Sequence, residues 1–171
     1  PGAAQRSSYG PMILEAQAEV VRRQVRDALA RGGRAVVGGL DSIRDPYIEP
    51  IVLAEVPEDS LAVTGEGIGP VLIVNRVADL DDAVERVNKA GRGIAVSVFT
   101  RDMAEVESFA ERLRVGVVTV NSATTYAGIP ALPFGGVGEY GQGHSHGELG
   151  LREFSRTLSI ARKRPGGPLY L

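Results

Sequence analysis

The sequence contains no cysteine. This absence excludes disulfides, thiolate metal ligands and a cysteine nucleophile within the 171 residues. No apolar run approaches the roughly 20 residues that a transmembrane helix needs. No charged and apolar leader opens the chain, so we expect a cytoplasmic protein without a membrane span.

Neither sign of charge dominates the sequence. It has 19 Lys and Arg against 21 Asp and Glu, and a net charge of −2. No basic excess indicates a nucleic-acid partner, and no acidic block indicates a solvating tail. The length predicts one domain, or one domain with a small appendage. The chain opens on a loop-like segment without an initiator Met, so we expect it to be a fragment of a longer protein.

Hydrophobic periodicity predicts a mixed first part. Apolar residues recur at helical spacing over 12–31, and Gly32-Gly33 follows them as a stop. A short strand is predicted over 35–37. Residues 47–56 read as two short strands broken at Pro50, because proline cannot donate a ladder hydrogen bond.

Residues 71–120 predict an α/β fold. The pattern is strand, helix, strand, helix, strand (βαβαβ), with Asp79 and Asp102 as candidate helix caps. The first run, 71–74, is continuously apolar, which is typical of a strand covered on both faces. Such units form parallel sheets with right-handed crossovers, so we predict a parallel-sheet core. A helix over 147–155 and a last, alternating strand over 157–162 follow.

A long loop leaves the third of these strands at Asn121. Seven of the 22 glycines lie between Gly135 and Gly150. In open parallel sheets, ligands bind at the carboxyl ends of strands. Compact domains rarely keep so long an irregular loop without a function, so this loop is a candidate binding segment.

Two patterns in the loop are interpreted as structural. Gly136, Gly138 and Gly141 match G-x-G-x-x-G, but no strand directly precedes them and no acid follows about 20 residues on, as a dinucleotide fingerprint requires. Tight backbone packing is the better interpretation. His144 and His146 have no further metal ligand of the usual type nearby in sequence, so we predict no metal site.

Three other residues leave function open. Glu66 lies among Gly65, Gly67 and Gly69, and a carboxylate in such a loop can accept hydrogen bonds from ribose hydroxyls; its alternative is an exposed loop residue. For Tyr126 and Phe134, packing and ligand contact are both compatible with the sequence.

Seven segments of the chain, in order, carry motifs of a known family. They are GPMI at 10–13, YIEPIVLAEVPEDS at 47–60, E-x-x-GP at 66–70, SVFTRD at 97–102, VNS at 120–122, PALPFGGVG at 130–138 and HGELGLREFS at 146–155. The PFGG segment with its flanks is the most specific of them. By these motifs, most of the chain resembles the C-terminal part of the catalytic domain of the aldehyde dehydrogenase superfamily, and it is closest in pattern to class 3-like bacterial members.

The resemblance implies an NAD(P)-dependent oxidation of a small-molecule aldehyde to a carboxylic acid. Glu66 matches the glutamate that hydrogen-bonds the nicotinamide ribose, and Ile68 stands where the family usually has a Phe against the nicotinamide. Asn121 leads into the substrate-pocket loop, with Tyr126 in it, and Phe134 is the PFGG aromatic near the catalytic thiol.

The resemblance also implies an organisation. Residues 1–156 correspond to a partial catalytic domain, and 157–171 to an oligomerisation strand and tail; the strand 157–162 pairs across subunits of a homo-oligomer. We expect the cofactor domain, the general-base glutamate and the nucleophilic cysteine to precede Pro1. The isolated chain should then be inactive and should not bind NAD or NADP tightly.

The sequence departs from the family at Gly65, Gly67 and Ile68, which predicts a looser loop around Glu66, and at Tyr140, where a Ser is usual. These departures keep open a non-catalytic paralogue, or an interaction module that kept the fold. A stand-alone nucleotide-binding domain is the third hypothesis.

Overall fold

The computed structural model describes residues 8–162 and 165–166. They form two compact units, one ending at Ala78 and the other beginning at Asp79. The helices of the described residues are α1 (Glu15–Ala30), α2 (Leu61–Thr64), α3 (Leu80–Ala90), α4 (Val106–Glu111) and α5 (Gly147–Glu153). The strands are β1 (Arg34–Val37), β2 (Ile43–Arg44), β3 (Tyr47–Ile48), β4 (Ile51–Ala54), β5 (Val71–Val74), β6 (Arg92–Gly93), β7 (Ala95–Val98), β8 (Val117–Val120) and β9 (Val137–Gly138). Short 3-10 helices span Leu40–Ser42 and Thr125–Gly128.

The first unit is built on the sheet β1-β4-β5 and the helix α1. β4 pairs antiparallel with β1 and parallel with β5, with Ile51 opposite Val71. Helix α1 places an apolar residue inward every three or four positions, and strand β4 does so at every second position. Both elements therefore contribute to one core. Its buried residues are Ala18, Val21, Val25, Ala28, Ile43, Ile48, Ile51, Leu53 and Val56.

Strand β5 is covered on one face only. Val71 and Ile73 pack against the core, whereas Leu72 and Val74 are 58% and 52% exposed. The prediction of a strand covered on both faces is therefore wrong within the first unit. A continuous apolar run indicates a strand suited to burial, but no described residue of that unit lies over the second face.

The second unit contains the parallel pair β7-β8, with Ala95 opposite Val117. Helices α3 and α4 bury Val84 and Phe109 in its core together with Leu113. The antiparallel pair β6-β9 brings Gly93 opposite Val137, which ties the long loop back to the segment before β7. The loop thus begins at β8 and is held again within its course by β9.

The α/β class and the order strand, helix, strand, helix, strand over 71–120 are confirmed. The pairing differs from the prediction: β5 pairs with β4, in the first unit, and β7 pairs with β8. Parallel neighbours need a crossover connection. Residues 55–70, with the unpredicted helix α2, supply one between β4 and β5.

The structure confirms one of the two predicted helix caps and not the other. Asp79 caps α3, and its Oδ1 accepts a hydrogen bond from the Asp82 amide at 2.9 Å. Asp102 does not cap α4, which begins at Val106; its Oδ1 accepts from the Ala104 amide at 2.9 Å. Aspartate favours both helix starts and turns, so sequence alone does not separate the two.

Residues 157–162 form no strand in the structure. A strand is defined by its pairing, and no neighbouring strand lies beside this segment among the described residues. Leu158 and Ile160 are 73% and 83% exposed. The predicted pairing across subunits and the predicted boundary at residue 156 stay predictions. Of the predicted tail, 163–164 and 167–171 lie outside the described residues.

Replacing Gly116 with Ala should destabilise the second unit. A β-carbon there would lie 2.8 Å from the carbonyl carbon of Gly135 and closer still to its oxygen. The Gly135 backbone cannot move away as a flexible side chain can. We therefore expect the free energy of unfolding to fall by about 2 kcal/mol.

The matched control for this change is Gly128→Ala. A β-carbon at Gly128 meets nothing within 4 Å, so its effect should stay within about 0.5 kcal/mol. Urea denaturation followed by circular dichroism compares the two variants. Equal midpoints would contradict the packing that we describe.

Candidate functional site

The first group of candidate residues lies in the loop after α2. Glu66 is exposed, and its carboxylate makes no hydrogen bond or ion pair within the described part of the chain. Ile68 is 65% exposed. An acceptor and an apolar side chain two residues apart are therefore both accessible to a ligand.

Helix α2, which leads into this loop, is held by Asp27 of α1. Ser60 caps α2, with its Oγ accepting from the Ala62 amide at 3.2 Å. The same hydroxyl donates to Asp27 Oδ2 at 2.7 Å, and the Leu61 amide donates to that oxygen at 2.8 Å. The Ser60 hydroxyl, with the Leu61 amide and the nearby Arg31, holds the pKa of Asp27 below its usual value.

The glycines around Glu66 lie against α1. A β-carbon at Gly65 would be 2.5 Å from the Leu61 carbonyl oxygen, and one at Gly69 would be 2.6 Å from Val21 Cγ2. A β-carbon at Gly67 would overlap the Gln24 side chain. These glycines allow the loop to approach a helix closely, and the looser loop stays a prediction.

Asn121 begins the second group, and its side chain joins the ends of two strands. Its Oδ1 accepts from the Thr100 amide, and its Nδ2 donates to the Thr100 carbonyl, both at 2.9 Å. Its backbone is left-handed, with φ of 53°. Asparagine tolerates this region better than most residues. Asn121 thus fixes the start of the loop.

The aromatic residues of the loop pack on one another. The rings of Tyr126 and Phe134 stack with centroids 5.5 Å apart and an interplanar angle of 17°. The Phe134 and Ser145 backbones exchange hydrogen bonds of 2.8 and 2.7 Å. Both rings are partly buried, so packing is observed for them, and each keeps some exposed surface for a ligand.

The two histidines have different surroundings. His146 precedes α5 with φ of 65°, and its ring lies 6.3 Å from that of Phe134. Its Nδ1 is buried without a hydrogen-bond partner among the described residues. Nδ1 of His144 lies 3.9 Å from Glu153 Oε1. Within residues 8–162 and 165–166, no group of three or more His, Cys, Asp or Glu is placed to hold a metal ion.

The G-x-G-x-x-G pattern forms turns and does not begin a helix. The Gly141 amide donates to the Gly138 carbonyl at 3.0 Å, and a β-carbon at Gly136 would lie 2.6 Å from Tyr140 Cβ. The interpretation as packing glycines is confirmed.

Among the described residues, none of the helices has both the length and the hydrophobicity of a membrane span.

A cleft of about 470 Å³ lies beside the PFGG segment. Its wall combines aromatic rings with glycine backbone, which suits a small, partly apolar molecule. Among its lining residues are Phe134, Gly135, Tyr140, His144, Glu153 and Phe154.

Two structural residues near the first group were not predicted. Asn75 holds the chain after β4, donating to the Val56 carbonyl at 2.7 Å and accepting from its amide at 3.0 Å. Asp27 meets Ser60 across 33 positions. Ser60 precedes a short apolar run, which is a recognisable cap signal, but no local pattern points to a partner so distant in sequence.

Comparison with known proteins gives one consistent result. The sequence profile of the Aldehyde dehydrogenase family matches residues 1–160. A succinate-semialdehyde dehydrogenase [NADP(+)] of Deinococcus radiodurans is 37% identical over 152 residues, which are 88% of this chain and 31% of that protein.

Solved structures agree. A succinate-semialdehyde dehydrogenase from Burkholderia pseudomallei matches with a TM-score of 0.77 and 30% identity, over 90% of this chain and 32% of that one. Aldehyde dehydrogenase C of Pseudomonas syringae, a C291A mutant complexed with NAD+ and octanal, matches with a TM-score of 0.76 and 30% identity, over 85% and 30%. The chain thus spans about a third of the length of these relatives.

Replacing Asn121 with Ala should destabilise the second unit by about 1–2 kcal/mol, because two hydrogen bonds are lost and an L side chain without a local partner must stay left-handed. Asn121→Gly loses the same bonds without the conformational cost, so it should be destabilised less. Urea denaturation ranks the variants. An Ala variant as stable as the original chain would contradict the structural role.

Proposed function

Because the chain belongs to the aldehyde dehydrogenase family, we propose that it is part of an NAD(P)-dependent enzyme that oxidises an aldehyde to a carboxylic acid. The observation that carries this proposal is the free Glu66 carboxylate, in the loop whose motif resembles the ribose-contacting loop of the family. A solvent-exposed acceptor on a firmly packed backbone is what a ribose-binding residue needs.

The residues of the first group fit a nicotinamide nucleotide. Glu66 would accept hydrogen bonds from the nicotinamide ribose, and the exposed Ile68 would lie against the nicotinamide ring, where its apolar surface excludes water. The bound nucleotide supplies the hydride acceptor. One relative is named for NADP(+) and another is complexed with NAD+, so we propose NAD or NADP without choosing between them.

The residues of the second group would form a wall of the aldehyde pocket. Tyr126 and Phe134 offer stacked rings to the substrate, and Asn121 positions the loop that carries them. The names of the relatives from Deinococcus radiodurans and Burkholderia pseudomallei favour succinate semialdehyde as the first substrate to test. The closer resemblance to class 3 members stays a prediction.

The chemistry of the family needs a nucleophile that this chain does not contain. The sequence has no cysteine. In the proposed enzyme, the thiolate therefore comes from outside the 171 residues. The resemblance implies the same for the general-base glutamate and most of the cofactor site, so the chain alone should neither turn over nor bind NAD(P) tightly.

The exposed segment 157–162 supports a proposal about assembly. Its backbone is unpaired among the described residues, and the side chains of Leu158 and Ile160 are largely exposed. An unpaired edge with apolar side chains favours strand addition. We propose that it pairs with a second copy in a homo-oligomer, and we retain a cytoplasmic location as a proposal.

One observation favours a second candidate function. Ile68 stands where the family usually has a Phe, so the ring that would contact the nicotinamide is absent. A non-catalytic paralogue, which kept the fold as an interaction module, would need no such ring.

Turnover by the full-length product of the gene that encodes this chain decides between the two. We expect it to oxidise an aldehyde with NAD or NADP. Glu66→Gln should raise the KM for the nucleotide about tenfold, because a charge-assisted hydrogen bond to the ribose becomes a neutral one.

Glu107→Gln, an exposed change on α4, is the matched control and should leave both constants unchanged. A product that oxidises no aldehyde in the presence of either nucleotide would contradict the catalytic proposal and favour the paralogue. An unchanged nucleotide KM in Glu66→Gln would remove Glu66 from the cofactor site.

A further inference from the structure

We propose that one stripe of α1, formed by Val21, Gln24 and Asp27, positions the loop 60–69 and thereby fixes where the Glu66 carboxylate stands. The inference rests on the proposed role of Glu66 in binding the nucleotide. The three side chains act as positioning residues, because they touch the loop and not the ligand.

The spacing of the stripe matches the course of the loop. Residues three apart on a helix are neighbours on one face, so Val21, Gln24 and Asp27 follow one another along α1. The loop runs past them in the opposite direction. Asp27 meets its start at 60–61, Gln24 its middle at 65–67 and Val21 its end at Gly69.

Asp27 fixes the start of the loop by two hydrogen bonds to a single oxygen. Ser60 Oγ and the Leu61 amide both donate to Oδ2, at 2.7 and 2.8 Å. The Leu61 amide belongs to the first turn of α2, whose amides have no partner within the helix. Ser60 is fully buried, so its hydroxyl is shielded from solvent while Asp27 is in place.

Gln24 fixes the middle of the loop by occupying space. Its side chain is 8% exposed, and it fills the positions that side chains at Gly65 and Gly67 would take. A β-carbon at Gly65 would lie 2.9 Å from Gln24 Nε2, and one at Gly67 would lie 3.0 Å from Gln24 Cδ. Glycine on both sides of Glu66 thus lets the backbone pack against the side-chain amide of Gln24.

Val21 fixes the end of the loop. It is 1% exposed, and its Cγ2 would lie 2.6 Å from a β-carbon at Gly69. A valine in a helix has one strongly preferred rotamer, so this methyl cannot move aside. The distance between the loop and the helix is therefore set by the size of both residues.

The result is a fixed backbone that carries a free side chain. Both neighbours of Glu66 contact α1, whereas its own carboxylate is exposed and unpaired among the described residues. Binding groups held in place before the ligand arrives lose less entropy on binding. The glycines that stand here in place of the family's residues therefore allow the loop to pack closely against α1.

Changing the sizes of Val21 and Gly69 tests this packing in the full-length product. Gly69→Ala should accelerate hydrogen exchange of the amides of 61–71 about tenfold, because the loop must lift from the helix. Val21→Ala removes the opposing methyl, so Gly69→Ala should accelerate exchange less in a Val21→Ala background than in the original sequence. Gly128→Ala, in the other unit, is the control.

If Gly69→Ala accelerates exchange in the Val21→Ala background as much as in the original sequence, the proposed packing of Gly69 against Val21 is wrong. This measurement needs no bound nucleotide and no turnover, so it stands even if the proposed enzymatic function fails.

Two changes at Asp27 test the link to the nucleotide in the full-length product. Asp27→Ala removes the acceptor and should raise the nucleotide KM about tenfold, with kcat at saturating nucleotide within about twofold, as expected when ground-state and transition-state binding are lost equally. Asp27→Asn keeps an oxygen that can accept both hydrogen bonds, so it should restore a normal KM.

A general loss of structure would not produce this pattern. If Asp27→Ala lowers kcat or thermal stability but leaves the nucleotide KM unchanged, the positioning role is wrong. If Asp27→Asn raises the nucleotide KM as much as Asp27→Ala does, the two hydrogen bonds to residue 27 do not determine nucleotide binding, and the proposal fails. An Asp27→Ala variant that does not fold leaves the Asn variant and the Val21 and Gly69 variants to decide.

Discussion

At Gly116, the chain passes so close to the carbonyl group of Gly135 that no β-carbon fits between them. The same constraint recurs at Gly65, which lies against the Leu61 carbonyl, and at Gly69, which lies against Val21. Backbone that approaches this closely is possible only with glycine. In each unit, this close approach lies in or beside the loop that carries the candidate residues, so the positions of Glu66 and of Phe134 depend on residues outside the candidate set.

This constraint explains how exposed residues can be precisely placed. Loops are usually the mobile part of a domain. Here the loop with Glu66 rests on α1, and the loop with Phe134 is held at its start by the Asn121 amide and further on by the bridge to Ser145. Each loop has a fixed backbone and accessible side chains, which is the arrangement that a binding wall requires.

The sequence predicted the local elements well and the distant contacts poorly. The helix over 12–31, the strand over 117–120 and the cap at Asp79 depend on neighbouring residues, and the structure has them. The partner of β5, the anchor between Asp27 and Ser60, and the contact of Gly67 with Gln24 join residues far apart in sequence. Composition around Glu66 predicted a looser loop, and it could not show that the glycines lie against a helix.

A crystal structure of the full-length product with NAD or NADP bound shows directly whether Glu66 binds the nicotinamide ribose. We expect the Glu66 carboxylate within about 3 Å of a ribose hydroxyl, at hydrogen-bond distance, with Gly67 still packed against Gln24. A ribose held by other residues, with Glu66 turned to solvent or the loop lifted from α1, would contradict it.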